Sequence, residues 1–226
     1  MKPLSAPPIP ASARLARTMY RRYFLAGIAV VLTAGATWGA WILWSIGFAE
    51  NFTGVSVHAI NAHGHAQIFG WMGLFIMGFG FQTIPRMWNS TLPAPYLAAA
   101  AFLMLVVGLV IRTVGMAMAE SSSSAVPLAM GGGVLEILAV GLFAGIIATA
   151  FRRGNAPLTP SAAFILAGAG WFVVQAVWSV WHSWTTMTAA TTEELVWYVA
   201  TYQAPLRDLQ IHGLAPVSYT HLTLPT

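Results

Sequence analysis

Five mainly apolar stretches, residues 23–49, 62–84, 96–119, 126–151 and 161–186, follow one another with only short polar breaks. A helix that crosses a bilayer needs about 20 such residues, and each stretch is long enough. A sixth run begins near Pro205 and is cut short. Composition agrees. The chain is 58% hydrophobic and 7% charged, with a mean hydropathy of +0.71, whereas a soluble domain carries about 25% charged residues. Too few polar side chains are present to cover a water-facing surface. The expected fold is all-α: a polytopic transmembrane helix bundle with five complete helices and the start of a sixth, partnered by the lipid bilayer.

The charges sort by loop. Lys2, Arg14, Arg17, Arg21 and Arg22 precede the first run, Arg86 follows the second, and Arg152 and Arg153 follow the fourth. Glu50, Glu120, Glu193 and Glu194 occupy the intervening loops. The positive-inside rule then predicts a cytoplasmic N-terminus. Residues 1–22 read as a basic cytoplasmic tail, and 23–216 as the transmembrane domain. The run 23–49 is far longer than a signal-peptide core and reads as a retained helix. The net charge of +4 is an orientation signal and not a nucleic-acid signal, because no basic stretch alternates with aromatics. The absence of cysteine excludes disulfides, iron-sulfur clusters and thiolate-ligated haem.

This orientation gives polar residues a depth. His63 and His65 lie near the outer end of the second run, Arg112 in the outer half of the third, His182 one turn from the outer end of the fifth, and His212 just inside the sixth. Ionisable groups in a membrane are costly and are kept mainly for function. Neutral imidazole is also a common ligand for metals and haem iron. His63 and His65 point about 200° apart on a helix, so one of them is the expected iron ligand, the alternative being a polar cap at the helix mouth; His212 is either the ligand opposite or a hydrogen-bonded packing histidine. His58 reads as a loop residue meeting headgroups. Arg112 has no acidic neighbour in sequence; it fits a haem propionate or snorkels outward. His182, among Trp178, Trp181 and Trp184, reads as part of an interfacial aromatic belt or as a second metal ligand, for instance to copper. Glu136, mid-membrane after three glycines, reads as an interhelical hydrogen-bonding group or a proton relay. Glycines 64, 70, 73, 78 and 80 permit close approach of a helix or a flat macrocycle. His63-Gly64 and His212-Gly213 form a weak internal repeat.

Past Leu214 the sixth run turns polar, and residues 217–226, His221 included, read as a non-native tail on a longer protein.

Arg21-Arg22-Tyr23-Phe24-Leu25, the block His63-Gly64-His65-Ala66-Gln67-Ile68-Phe69-Gly70 with Gly78-Phe79 and Pro85 behind it, Arg112, and His212-Gly213 together resemble the first half of the NnrS family. Those are bacterial membrane proteins that contain haem and copper and are linked to nitric oxide stress and denitrification. The resemblance implies about twelve helices in the whole protein, and haem-ligand roles for His63 or His65 and for His212. Copper ligands do not carry over. The family tends to show Glu-Met where this chain has Ala66-Gln67. The same block resembles more weakly the haem-ligand helix of haem-copper oxidase subunit I and nitric oxide reductase. A catalytic subunit of that kind needs an adjacent histidine pair, and this chain has none. A cofactor-free proton-coupled transporter is the remaining alternative.

Overall fold

Pro10 caps a helix that begins twelve residues before the apolar run does. Ala11, Ala13, Arg14, Leu15, Ala16 and Arg17 are strong helix formers, and Pro10 removes only a backbone donor that the first turn leaves unpaired. The expected tail is therefore helical from Ala11. The computed structural model describes residues 10–51 and 54–203. His212, the sixth run and residues 217–226 lie outside the described residues.

Among the described residues five helices are long and apolar enough to cross a membrane: α1 (Ala11–Ala49), α2 (Val57–Met87), α3 (Pro95–Ala117), α4 (Ala125–Gly154) and α5 (Pro160–Met187). A short helix, α6 (Thr192–Tyr198), follows. No strand occurs among the described residues. The molecule is an all-α multi-pass membrane bundle. Its outward side chains agree with a lipid setting: Leu43 and Phe48 are each 72% exposed, an arrangement water would penalise.

Helix α2 also starts earlier than the apolar run. The Ser56 side chain accepts from the His58 amide and caps it, a frequent helix-starting device. His58 is thereby drawn out of the expected loop into the first turn, where it is buried.

The core is aromatic. Tyr23 of α1 donates to the Ala98 carbonyl of α3 at 3.0 Å and packs edge-on against Phe81 and Phe102. Phe81, Phe143, Phe172 and Phe69 continue the cluster across α2, α4 and α5. Helices α3 and α4 pack backbone to backbone. A Cβ on Gly132 would lie 2.5 Å from the Arg112 amide and 2.6 Å from the Gly108 carbonyl, so only glycine fits there without displacing a helix. Gly70, Gly73, Gly78 and Gly80 likewise serve helix contacts, with α1, α3, α4 and α5 side chains against them. Gly64 faces open space.

Two helices widen at the same level. Val31–Thr37 of α1 and Ala66–Gly73 of α2 adopt wide π-type turns and pack against one another. Such turns redirect backbone carbonyls and recur at functional sites.

Candidate functional site

The widened stretch of α1 directs a carbonyl at a histidine. His63 Nδ1 lies 2.8 Å from the Ala34 oxygen. A carbonyl can only accept, so Nδ1 carries a proton, and in the neutral ring Nε2 then keeps its lone pair. The half-buried ring lies against Gly39, where a Cβ would meet Cε1 at 3.0 Å, and stands edge-on to Trp38.

His65 faces the opposite way, as the angular separation predicts. Its Nε2 lies 2.8 Å from Oε1 of Glu136 on α4. Arg112 of α3 donates from Nη1 to Oε2 of the same carboxylate at 2.7 Å. Arg112 Nη2 donates to the Ser179 carbonyl at 2.6 Å and to the Ser179 and Ser183 hydroxyls, each at 2.8 Å. Arg112 is fully buried, Glu136 is 1% exposed and His65 is 7% exposed. Four helices thus supply one buried charge cluster: α2 its histidine, α3 its guanidinium, α4 its carboxylate, α5 its hydroxyls.

Arg112 therefore does not snorkel outward, and the anion it meets is a carboxylate of the protein itself. Its acidic partner is distant in sequence but one helix away in space, and both guanidinium nitrogens that form the outer fork are engaged. A desolvated charge survives only when paired and hydrogen-bonded, and this arrangement satisfies that requirement.

His182 is drawn inward as well. Trp181 and Trp184 face outward, while His182 is 4% exposed. It sits on the α5 face that carries Gln175, Ser179, Ser183 and Thr186, all buried. Thr186 donates to the His182 carbonyl at 2.9 Å. Among the described residues His182 Nε2, Arg112 Nε and both amide atoms of Gln175 have no protein partner, so the seam keeps hydrogen-bonding capacity beyond the cluster itself.

Sequence reasoning passed over Ser179, Ser183 and Gln175. Their spacing of four residues along an apolar helix was the available signal, because residues so spaced share one face.

The residues fit a haem only in part. His63 has a free Nε2 and a carbonyl fixing its other nitrogen, the usual support of an imidazole that ligates a metal. Paired with a guanidinium, Glu136 accepts from His65, so His65 Nε2 carries a proton and is not offered as a ligand. Arg112 would have to leave Glu136 or its serines to reach a propionate. Among the described residues no three His, Cys, Asp or Glu side chains gather into a metal-binding group, and His182 joins no such set. His58 lies at the end of the bundle near the Ser56–Glu120 hydrogen bond and takes no part in the cluster.

Compared with known families, curated proteins and solved structures, the chain matches none.

Proposed function

We propose that the protein is a haem-binding membrane protein of the NnrS type, serving nitric oxide response or denitrification from a bacterial inner membrane with its N-terminus in the cytoplasm. The observation that carries this reading is the hydrogen bond from His63 Nδ1 to the Ala34 carbonyl. In the neutral ring it leaves Nε2 in the form that binds iron, and its acceptor lies in a widened turn of α1. His63 would hold the iron from α2, and His212 is the proposed second ligand. When bound, haem supplies an iron that takes up small gases such as nitric oxide. The chain's own contribution is to orient the His63 ring and to keep the neighbouring His65 engaged with Glu136.

A reduced-minus-oxidised absorption spectrum of the purified full chain tests the reading. A haem spectrum is expected. A protein that folds and never acquires haem from haem-replete cells would remove the proposal. The buried His65–Glu136–Arg112 cluster favours one second reading, a cofactor-free proton-coupled transporter, since charged groups inside a membrane often serve proton relays. The same spectrum separates the two.

A further inference from the structure

The end of the bundle remote from the histidines carries a second site. Arg17 of α1, Arg86 at the end of α2 and Arg153 at the end of α4 line one cavity of about 500 Å³, together with Gln82, Ser90 and Thr91. Three helices thus aim cations at one space. The Gln82 amide, with its oxygen turned toward Arg86, accepts from both terminal guanidinium nitrogens at 2.9 and 3.1 Å, which steadies that side chain. Among the described residues no carboxylate balances the three charges. The six acidic residues are Glu50, Glu120, Glu136, Glu193, Glu194 and Asp208. Four of them lie in the opposite loops, Glu136 is taken by Arg112, and Asp208 lies outside the described residues.

The position of Arg153 is fixed by packing. Gly154 lies so close to Trp88 that a Cβ would strike the Trp88 carbonyl, and Trp88 stands edge-on to Phe151. The loop after α2 is thereby clamped to the end of α4. Guanidinium groups gathered around serine and threonine hydroxyls form a receptor for phosphate oxygens.

A second, apolar hollow of about 570 Å³ adjoins the first and shares Ala94 and Arg153 with it. It runs along the outside of α4 past Leu138, Gly141 and Gly145. A Cβ on either glycine would meet nothing within 4 Å, so these two residues keep the hollow open along its floor. A cationic cavity continuous with an apolar groove matches a molecule with an anionic head and a hydrocarbon chain.

We propose that this end of the bundle is a binding site for one anionic phospholipid. Its phosphate sits among Arg17, Arg86 and Arg153, and one acyl chain lies in the groove over Gly141 and Gly145. Basic pockets between transmembrane helices commonly hold such headgroups. The site is independent of any haem.

Native mass spectrometry of the purified full chain, titrated with phosphatidylglycerol, phosphatidylcholine or inorganic phosphate, tests the assignment. One saturable phosphatidylglycerol is expected, with phosphatidylcholine bound more weakly. Arg86→Gln and Arg153→Gln should each weaken phosphatidylglycerol by about fivefold, the worth of one cation at a headgroup. Arg86→Lys should retain most of the binding. Arg152→Gln, which removes the same charge outside the cavity, should have no effect. Gly145→Leu should reduce phosphatidylglycerol binding by filling the groove, with every arginine intact. Equal losses in Arg152→Gln and Arg153→Gln would show diffuse surface attraction and overturn the site. Inorganic phosphate that displaces phosphatidylglycerol, joined with full binding in Gly145→Leu, would overturn the lipid and leave a free-phosphate site. Helical content and thermal unfolding of each variant show that it is folded.

Discussion

Nε2 of His65 and Oε1 of Glu136 lie 2.8 Å apart, bridging α2 and α4 across 71 residues of sequence. The other oxygen of the same carboxylate is held by Arg112. Glu136 is therefore the residue on which the polar interior of the bundle turns.

Removing one member of this cluster should cost more than removing two. Glu136→Leu leaves a buried guanidinium with no counter-charge and should destabilise the protein by roughly 3–5 kcal/mol. Arg112→Leu combined with Glu136→Leu should recover most of that loss, because hydrophobic replacement of a whole buried pair is often neutral. Thermal unfolding in detergent measures both. Additive losses in the double variant would show that the pair is not coupled.

The two histidines should separate spectroscopically. On the proposed haem reading, His63→Ala should lose haem or turn it high-spin, because the iron would lose an imidazole. His65→Ala should keep the haem spectrum and lower stability, because its Nε2 already serves Glu136. His212→Ala should behave like His63→Ala. His58→Ala and His182→Ala should leave the spectrum unchanged. A normal low-spin spectrum in His63→Ala would end the assignment of that residue.

Close backbone contact between α3 and α4 makes a steric expectation. Gly132→Ala places a methyl group 2.5 Å from the Arg112 amide and should cost about 1–3 kcal/mol as the helices part. Gly131→Ala meets nothing within 4 Å and should be neutral or stabilise by up to about 1 kcal/mol, since alanine favours the helix interior. Similar unfolding midpoints for the two variants would contradict this packing.

Orientation is open to a reporter. A fusion placed after Asn155, beside Arg152 and Arg153, should be active only as a cytoplasmic reporter. Activity of a periplasmic reporter there would reverse the topology.

Helix α6 should respond to acid. The Ala190 amide and then the Tyr198 hydroxyl hold the Glu194 carboxylate below the ordinary carboxylate range. A depressed value adds helix order that is present at and above that range and is lost as pH falls through the lowered value. Amide exchange of residues 192–198 should therefore quicken as pH falls below about 4.3, the usual glutamate value. In Glu194→Gln the exchange should lose that pH step.

The spans were legible because apolar runs and charge breaks are long-range signals. Their ends were not: Pro10 and Ser56 start helices through local capping, which apolarity does not register. His65 and Arg112 stood out in sequence as ionisable groups in hydrocarbon. Glu136 stood out in the same way, as an interhelical hydrogen-bonding group, but its pairing with them did not, because 24 residues separate it from Arg112 and nothing in sequence fixes how α3 and α4 rotate against each other. The Gly108–Gly132 contact sets that rotation. The opposed facing of His63 and His65 needed only the helical repeat, whereas the carbonyl that receives His63 needed a widened turn in another helix.

The pairing of Arg112 with Glu136 has a consequence for biogenesis. The two residues sit on consecutive helices joined only by residues 118–124. A hairpin of α3 and α4 leaving the ribosome can neutralise its own buried charges before any other helix is present. The insertion machinery then meets a guanidinium and a carboxylate as one internally satisfied unit, so the two helices should partition into lipid together and poorly apart.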